Sequence, residues 1–581
     1  MNGVLQIVIF FVILLVLAAP LGIYCAKVMN GEKTWLSPVL NPLEVFFYKI
    51  LKIDQQEDMP WKKYAACVLV FNGLGAAAIF MLAMLQHLLF LNPAGIGAMS
   101  WDLAFNTAVS FTTNTDWQAY SGESQASYLT QMLGLTVQNF ASAATALAVL
   151  FACIRGFVRV KAAGIGNFWV DFVRSVVHVL LPISLVVAIL LVSQGVPQNF
   201  SPYTEVDLLQ PVTLVTENED GSTTKQVLTK GVIPQGPAAG QVAIKQVGTN
   251  GGGYFGVNSA HPLENPTQFS NFLEMLMILL IPMALCFTFG RNIGDMRQGK
   301  AIFMAMLIML LLGLGVVYYS ELQATPQLLQ NGAVDSSVGN MEGKEVRAGI
   351  ATSSVWIAAV SATSNGSVNA MIDSFTPLGG LVPMLNIQLG EVVFGGVGCG
   401  LYGMLGFIIV AVFLAGMMVG RTPEYLKKKI TAYDIKMAMY ICLTVPVGIL
   451  LGSAVACMVP AVADSMTNSG AHGFSEILYA YSSASGNNGS AFGGFNANTP
   501  FLNLTLGLLI ILGRYVPLLS ILAIAGSFAA KKQVAVSAGT LATHDSKFVF
   551  LLIIVVLIVG ALSFFPALAL GPIAEYFQMF L

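Results

Sequence analysis

Val109-Ser110-Phe111-Thr112-Thr113-Asn114-Thr115-Asp116 is a polar tract set between two apolar segments, each long enough to cross a bilayer. Val360-Ser361-Ala362-Thr363-Ser364-Asn365-Gly366 matches it closely. Val247-Gly248-Thr249-Asn250-Gly251-Gly252-Gly253 matches it loosely, and Ser483-Ala484-Ser485-Gly486-Asn487-Asn488-Gly489 keeps the same small-residue character. Threonine, serine and asparagine supply hydroxyl and amide oxygens, while glycine admits left-handed backbone angles, so successive carbonyls can turn toward one axis. A cation leaving water must find oxygens on all sides, and four such tracts are what one chain needs to build a four-walled filter. Asp116, at the outer edge, is the exception among tracts that mostly lack carboxylates, whereas calcium or magnesium would want several. A monovalent cation is therefore favoured. One tract alone reads as a turn; four in register with the topology argue for a site.

The elements that must position these tracts are membrane helices. The chain has 581 residues, 56% hydrophobic and only 10% charged, with a mean hydropathy of +0.75. Such a composition excludes a soluble multidomain protein. A net charge of −2 and the lack of a basic cluster with interleaved aromatics give no sign of nucleic-acid binding. Cys25, Cys67, Cys153, Cys286, Cys399, Cys442 and Cys457 lie in or beside apolar segments without paired spacing, which argues against a disulfide or metal framework. Spans are predicted at 4–25, 64–90, 127–153, 171–193, 268–289, 300–320, 385–419, 435–458, 500–528 and 548–570, helical because lipid offers backbone groups no other partner. The first run lacks a positive leader and reads as a mature span, not a signal peptide.

Lysines and arginines orient these spans. With the N-terminus outside, the outer loops carry only Lys225, Lys230, Lys245, Lys344 and Arg347; nearly all the others fall in inner loops, as the positive-inside rule requires. Both termini and all four tracts then lie on the outer side. The fold expected is an all-α polytopic membrane protein: ten transmembrane helices, as four pseudo-repeated helix–pore loop–helix units around a central pore, with one extra helix at each end. The divisions are 1–63, first helix and cytoplasmic loop; 64–153, 171–289, 300–420 and 434–530, pore units 1 to 4; and 547–581, last helix. The long polar loop 194–267 reads as an outer elaboration with a hairpin turn at Asp220-Gly221.

Two features lie away from the tracts. Phe394-Gly395-Gly396-Val397-Gly398-Cys399-Gly400 interrupts the span after the third tract, since so many glycines hold a helix poorly. It either constricts the path beneath the filter or permits a close helix crossing. Glu391, just before it, holds either a cation or a buried partner. Arg514 is the one basic residue well inside a span, at a cost of at least ~2.5 kcal/mol on insertion scales, so it faces protein or a cavity. It either repels ions or organises the cavity, or else forms a structural ion pair. A phosphate-binding glycine loop and an Asp-Lys-Thr-Gly-Thr sequence are both lacking, and the inner loops are too short for a nucleotide domain.

Several longer strings carry a family resemblance. Phe111-Thr112-Thr113-Asn114-Thr115-Asp116-Trp117-Gln118, Ser259-Ala260-His261-Pro262-Leu263-Glu264-Asn265-Pro266, Gly395 to Gly403, Gly420-Arg421-Thr422-Pro423-Glu424-Tyr425-Leu426 and Asn487-Asn488-Gly489-Ser490-Ala491-Phe492 resemble the potassium-binding A subunits of Kdp-type P-type ATPases, within the wider potassium transporter superfamily. The likeness runs nearly end to end. It implies a bacterial plasma (inner) membrane protein that binds potassium and no nucleotide, working with an ATP-hydrolysing B subunit, a C subunit and a small F subunit in membrane lipid. It implies a filter of Thr112, Thr113, Asn114 and Thr115; Asn250, Gly251 and Gly252; Ser364, Asn365 and Gly366; and Asn487, Asn488 and Gly489. Asp116 and Gln118 stand at its entrance, Gly395, Gly396, Gly398 and Gly400 in a gating loop below, and Arg514 in the cavity. The family often has cysteine where this chain has Asn365, and asparagine where it has Asp116; neither departure is expected to change the ion. The alternative is an autonomous potassium channel or ion-gradient-driven transporter of the same superfamily.

Overall fold

The computed structural model describes residues 2–217, 223–330, 338–418, 420, 422–535 and 541–580. Among these, ten helices are long and apolar enough to cross a membrane: α1 (Gly3–Asn30), α3 (Trp61–Leu88), α5 (Thr130–Val158), α6 (Phe168–Ser193), α8 (Gln268–Asn292), α9 (Met296–Glu321), α12 (Cys399–Met418), α13 (Ala432–Cys457), α15 (Pro500–Ala530) and α16 (Ser546–Phe580). A surface helix, α2 (Ser37–Ile50), follows the first of them.

Each tract follows a short helix: α4 (Trp101–Thr112), α7 (Ala238–Val247), α10 (Gly349–Ala362) and α14 (Gly470–Gly486). The order long helix, short helix, tract, long helix thus recurs four times along the chain. The spans that follow a tract are the more enclosed. Buried shares of their most apolar windows are 89, 89, 72 and 56% for α5, α8, α12 and α15, against 22, 44, 50 and 39% for α3, α6, α9 and α13. The former make the inner wall. The latter give more of their surface to lipid, as their apolar, weakly amphipathic sequences allow.

The third unit departs from continuous helix where its glycines fall. After α11 (Pro377–Gln388) the backbone leaves the helix and resumes only at Cys399. The interruption expected at 394–400 falls instead at 389–398: it begins earlier, at Leu389 and Gly390, and Cys399 and Gly400 already belong to α12. In the polar loop after α6, β1 (Thr204–Glu217) pairs antiparallel with β2 (Thr223–Ile233), with an irregularity between Asp207 and Val212. The expected Asp220-Gly221 turn lies outside the described residues.

Contacts fix which chain ends share the tract face. The start of α1 lies against Tyr318, at the end of α9, and Ala351, at the start of α10. Glu575 of α16 meets His472 at the start of α14. Both ends therefore lie on the face that carries the tracts. The opposite face carries Arg159 on Asp58 (2.6 Å), Arg174 on Glu44 (3.0 Å), Arg291 on Glu32 (3.3 Å), and the Lys531–Asp434 pair.

Two lysines read as loop charges are instead interior. Lys245 lies in α7 and pairs with Glu264, and Lys344 pairs with Glu321 at 2.7 Å; all four side chains are 0% exposed. In either pair, removing one partner strands a buried charge at a cost of about 3–5 kcal/mol.

His472 ties α16 to the third and fourth units. Its Nε2 lies 2.8 Å from Asp373 and its Nδ1 2.8 Å from Glu575. Burial alone would lower the imidazole pKa, but the two carboxylates outweigh it and push the value up to about 10. With both ring nitrogens donating, the clamp is an imidazolium. Its stabilisation is complete below the unfolded value near 6.5 and is lost as pH rises through the folded value. The thermal unfolding midpoint of the purified protein is therefore expected to fall between about pH 7 and pH 10 more steeply for the wild type than for His472→Gln.

Candidate functional site

The last turn of each short helix opens in the same way. One or two residues past its carboxyl end the chain turns left-handed: Asn114 (φ 66°), Thr249 (φ 50°), Ser364 (φ 58°) and Asn487 (φ 61°). The amide of the next residue then reaches back five positions, from Thr115 to Ser110, Asn250 to Lys245, Asn365 to Val360, and Asn488 to Ser483, at 2.8–3.1 Å. The tracts are thereby equivalent by geometry over 114–116, 249–251, 364–366 and 487–489. Thr249, which the sequence does not single out, belongs with the candidate residues.

The four ends meet, and asparagine amides close each seam. Between the first and second tracts, Asn114 Nδ2 donates to Thr249 O (2.9 Å) and Asn250 Nδ2 to Asn114 Oδ1 (2.6 Å). Ser142 of α5 donates to the same Oδ1 at 2.8 Å. Between the second and third, Asn365 Nδ2 donates to Gln246 Oε1 (3.0 Å) and Gly366 N to Asn250 O (3.3 Å). Between the third and fourth, Asn488 Nδ2 donates to Val360 O (3.0 Å). Between the fourth and first, Asn487 Nδ2 donates to Thr115 Oγ1 (2.9 Å). A Cβ on Gly489 (φ 91°) would stand 1.9 Å from Thr115 O, so only glycine lets these two walls approach.

This use of side chains revises the expected chemistry. The hydroxyls of Thr112, Thr113 and Thr363 donate to carbonyls of their own helices at 2.7–2.9 Å. Hydroxyls and amides thus mainly fasten the walls, and several tract carbonyls, Thr249 O, Asn250 O and Val360 O among them, accept these bonds.

A vestibule of about 920 Å³ opens at this ring, bordered by Asp116, Gln118, Gly252 and Gly489. Gln118 bridges to the second tract, accepting from Gly253 N (2.7 Å) and donating to Gly253 O (3.1 Å). Asp116 is not an open rim charge, as its expected place at the edge would have it: it is 0% exposed. Behind the second tract, Lys245 Nζ donates to Gly252 O at 3.1 Å, and Gln246 donates to Glu274 of α8 at 2.8 Å. Glu264, Glu274 and Ser142 are further residues of the site that the sequence reading passes over. Their signal is a polar group within or beside an enclosed apolar helix.

The glycine interruption lies on the other side of the ring. Val397 N donates to Thr249 Oγ1 (2.8 Å) and Gly395 N to Ala362 O (3.0 Å). A Cβ on Gly395 would come within 2.0 Å of Gly400 Cα, so the loop folds tightly upon itself beneath the second and third tracts. Glu391 accepts from Asn488 Nδ2 (2.9 Å) and from the Ser364 hydroxyl. It shares a cavity of about 60 Å³ with Cys399, Tyr402 and the buried Arg514, room for a few waters.

Ten spans around four convergent tract ends, with a broken helix packed beneath them, define a polytopic membrane protein of the cation-transporter class. The potassium transporter TrkH from Vibrio parahaemolyticus has a similar fold, with a TM-score of 0.50 at 11% identity over 87% of this chain and 96% of that one. The chain belongs to the potassium-transporting ATPase A subunit family, whose model matches residues 8–577. It is similar to potassium-transporting ATPase potassium-binding subunits of Clostridium perfringens (62% identical over 100% of this chain and 99% of that one) and Clostridium botulinum strain Alaska E43 (61%, 100% of both). That of Listeria monocytogenes is 54% identical over 99% of each chain.

Left-handed backbone with a side chain costs about 1–3 kcal/mol, to which the clash at Thr115 O adds. Gly489→Ala is therefore expected to lower the unfolding midpoint by several degrees. Gly380→Ala, whose Cβ would meet only Phe492 at 3.6 Å, is expected to leave it nearly unchanged.

Proposed function

We propose that this chain selects potassium for an ATP-driven uptake complex of the bacterial plasma membrane. The observation that carries the reading is the closed ring of four equivalent tract ends, each seam joined by an asparagine amide. Basic residues concentrated on the face away from the tracts support an outward-facing ring, with both termini outside. Potassium enters through the vestibule past Gln118 and exchanges its water for backbone oxygens around Thr113, Asn114, Thr115, Thr249, Asn250, Gly251, Ser364, Asn365, Gly366, Asn487, Asn488 and Gly489.

The loop through Gly395, Gly396, Gly398 and Gly400 blocks direct passage to the cytoplasm, and its tight folding under Thr249 and Ala362 supports that role. The ion leaves sideways, by the cavity of Glu391 and Arg514, toward the ATP-hydrolysing B subunit; a C subunit and a small F subunit complete the assembly. Arg514, whose guanidinium lies beside Cys399 and Tyr402, keeps a second cation from lingering in that cavity.

Gly366 packs against the backbone of Gly489, where a Cβ would come within 2.8 Å. In the purified complex, Gly366→Asp is expected to raise the potassium concentration for half-maximal ATPase stimulation at least about tenfold, or 1.4 kcal/mol. An unchanged potassium dependence would overturn the assignment of the third wall. An ATPase that never copurifies would move the chain to the autonomous transporters. Arg514→Gln is expected to lower the number of potassium ions taken up per ATP hydrolysed in liposomes, and an unchanged ratio would return Arg514 to a purely structural role.

A further inference from the structure

Away from the ring of tracts, the outer ends of α1, α8 and α10 border a groove of about 340 Å³. Its floor is apolar, with Phe10 of α1, Phe272 and Met275 of α8, and Val355 of α10. Phe10 meets Phe272 edge-on, with ring centroids 5.9 Å apart. Its outer end is polar, with Gln6, Gln268 and Arg347. From Gln268 to Met275 a helix advances about 10 Å, so one cavity runs from headgroup depth into the hydrocarbon. The mouth faces lipid: Ile9, part of the lining, is 39% exposed, and Val8 and Val12 of α1 and Phe269 of α8 beside it are exposed apolar side chains.

A groove open to hydrocarbon is filled by it, because walls that face a gap forfeit dispersion contacts that an acyl chain restores. An acyl chain accounts for the floor but not for the rim. Arg347 Nη1 donates to Asn265 O at 2.6 Å, while the Glu345 carboxylate stands 3.9 Å from its Nε, too far for a hydrogen bond. Its Nη2 has no partner among the described residues, and neither have the side-chain amides of Gln6 and Gln268. A guanidinium with an open edge, flanked by two neutral amides, matches a phosphate ester, whose anionic oxygens accept several hydrogen bonds at once.

We infer that this groove is a binding site for one phospholipid of the outer leaflet, with its phosphate on Arg347, Gln6 and Gln268 and an acyl chain laid over Phe10, Phe272 and Met275. The leaflet follows from the orientation proposed above; the chemistry of the site does not depend on it. The lipid joins α1, which lies outside the four units, to the span that follows the second tract and the short helix that leads to the third. It fills a space that no described side chain fills.

The test is photo-crosslinking of the purified complex in a nonionic maltoside detergent, which brings no phosphate of its own. The probe is phosphatidylglycerol with a diazirine on one acyl chain, and adducts are mapped by peptide mass spectrometry. Adducts are expected on α1 near Phe10 and on α8 near Phe272, well above those on the exposed face of α13 around Val447 and Leu451, which serves as the internal control. Unlabelled phosphatidylglycerol is expected to compete, and diacylglycerol and inorganic phosphate are not. Arg347→Gln is expected to lower groove labelling at least about fivefold, as loss of a hydrogen bond to a charged group implies, with α13 labelling unchanged. Ile9→Trp, which fills the mouth from the lipid side and leaves Arg347 in place, is expected to lower it likewise and keeps the test open if the first variant fails to fold. Groove labelling no stronger than on α13, as a covering helix of another subunit would give, would overturn the site. So would labelling unchanged in both variants, or competition by diacylglycerol or by inorganic phosphate as strong as by phosphatidylglycerol.

Discussion

Everything at the centre of this molecule depends on how four strips of backbone are held edge to edge without closing the space between them. Asparagine amides do this, one seam at a time, each spanning from its own tract to a carbonyl, hydroxyl or amide of the next. The amide is suited to the task because it offers donors and an acceptor without net charge, so it rigidifies a wall without competing for the ion. Ser142 and Gln246 extend the same network backward into the enclosing helices. The walls are thus fastened to one another and to the helices behind them through neutral amides and hydroxyls.

Much of this was legible in the sequence, for reasons that differ from element to element. Long apolar runs announce spans directly, since a helix in lipid has no competitor. Polar residues at Thr112 to Asp116 or Ser364 to Gly366 stand out against that background, and the interruption at Gly395 to Gly400 does so by composition alone. What composition does not carry is direction. Thr112 and Thr113 supply the oxygens expected of a binding wall, yet their hydroxyls fold back on α4. Asn487 and Asn488 are adjacent in sequence but reach opposite neighbours, one the first tract and the other the third.

Charge was the least legible property. Lys245 and Lys344 look like loop residues because each falls between predicted spans, whereas each is enclosed with a glutamate, at 0% exposure. Their partners Glu264 and Glu321 lie 19 and 23 positions away, so no local spacing betrays the pairs. Asp116 misleads in the same manner: its place at the end of a polar tract suggests an open mouth, and the left-handed turn carries it into the wall.

The seam between Asn487 and Thr115 joins residues 372 positions apart. A chain emerging from synthesis therefore holds three walls for a long time before the fourth arrives, and through that interval its first and third tracts face a gap, not each other. Contacts of such separation form late, because the loop they close is costly to order. A chain arrested before α14 lacks the last wall and with it any complete ring of oxygens. The order in which the polypeptide is made thus leaves the ring of tract ends open until α14 and Asn487 have been added.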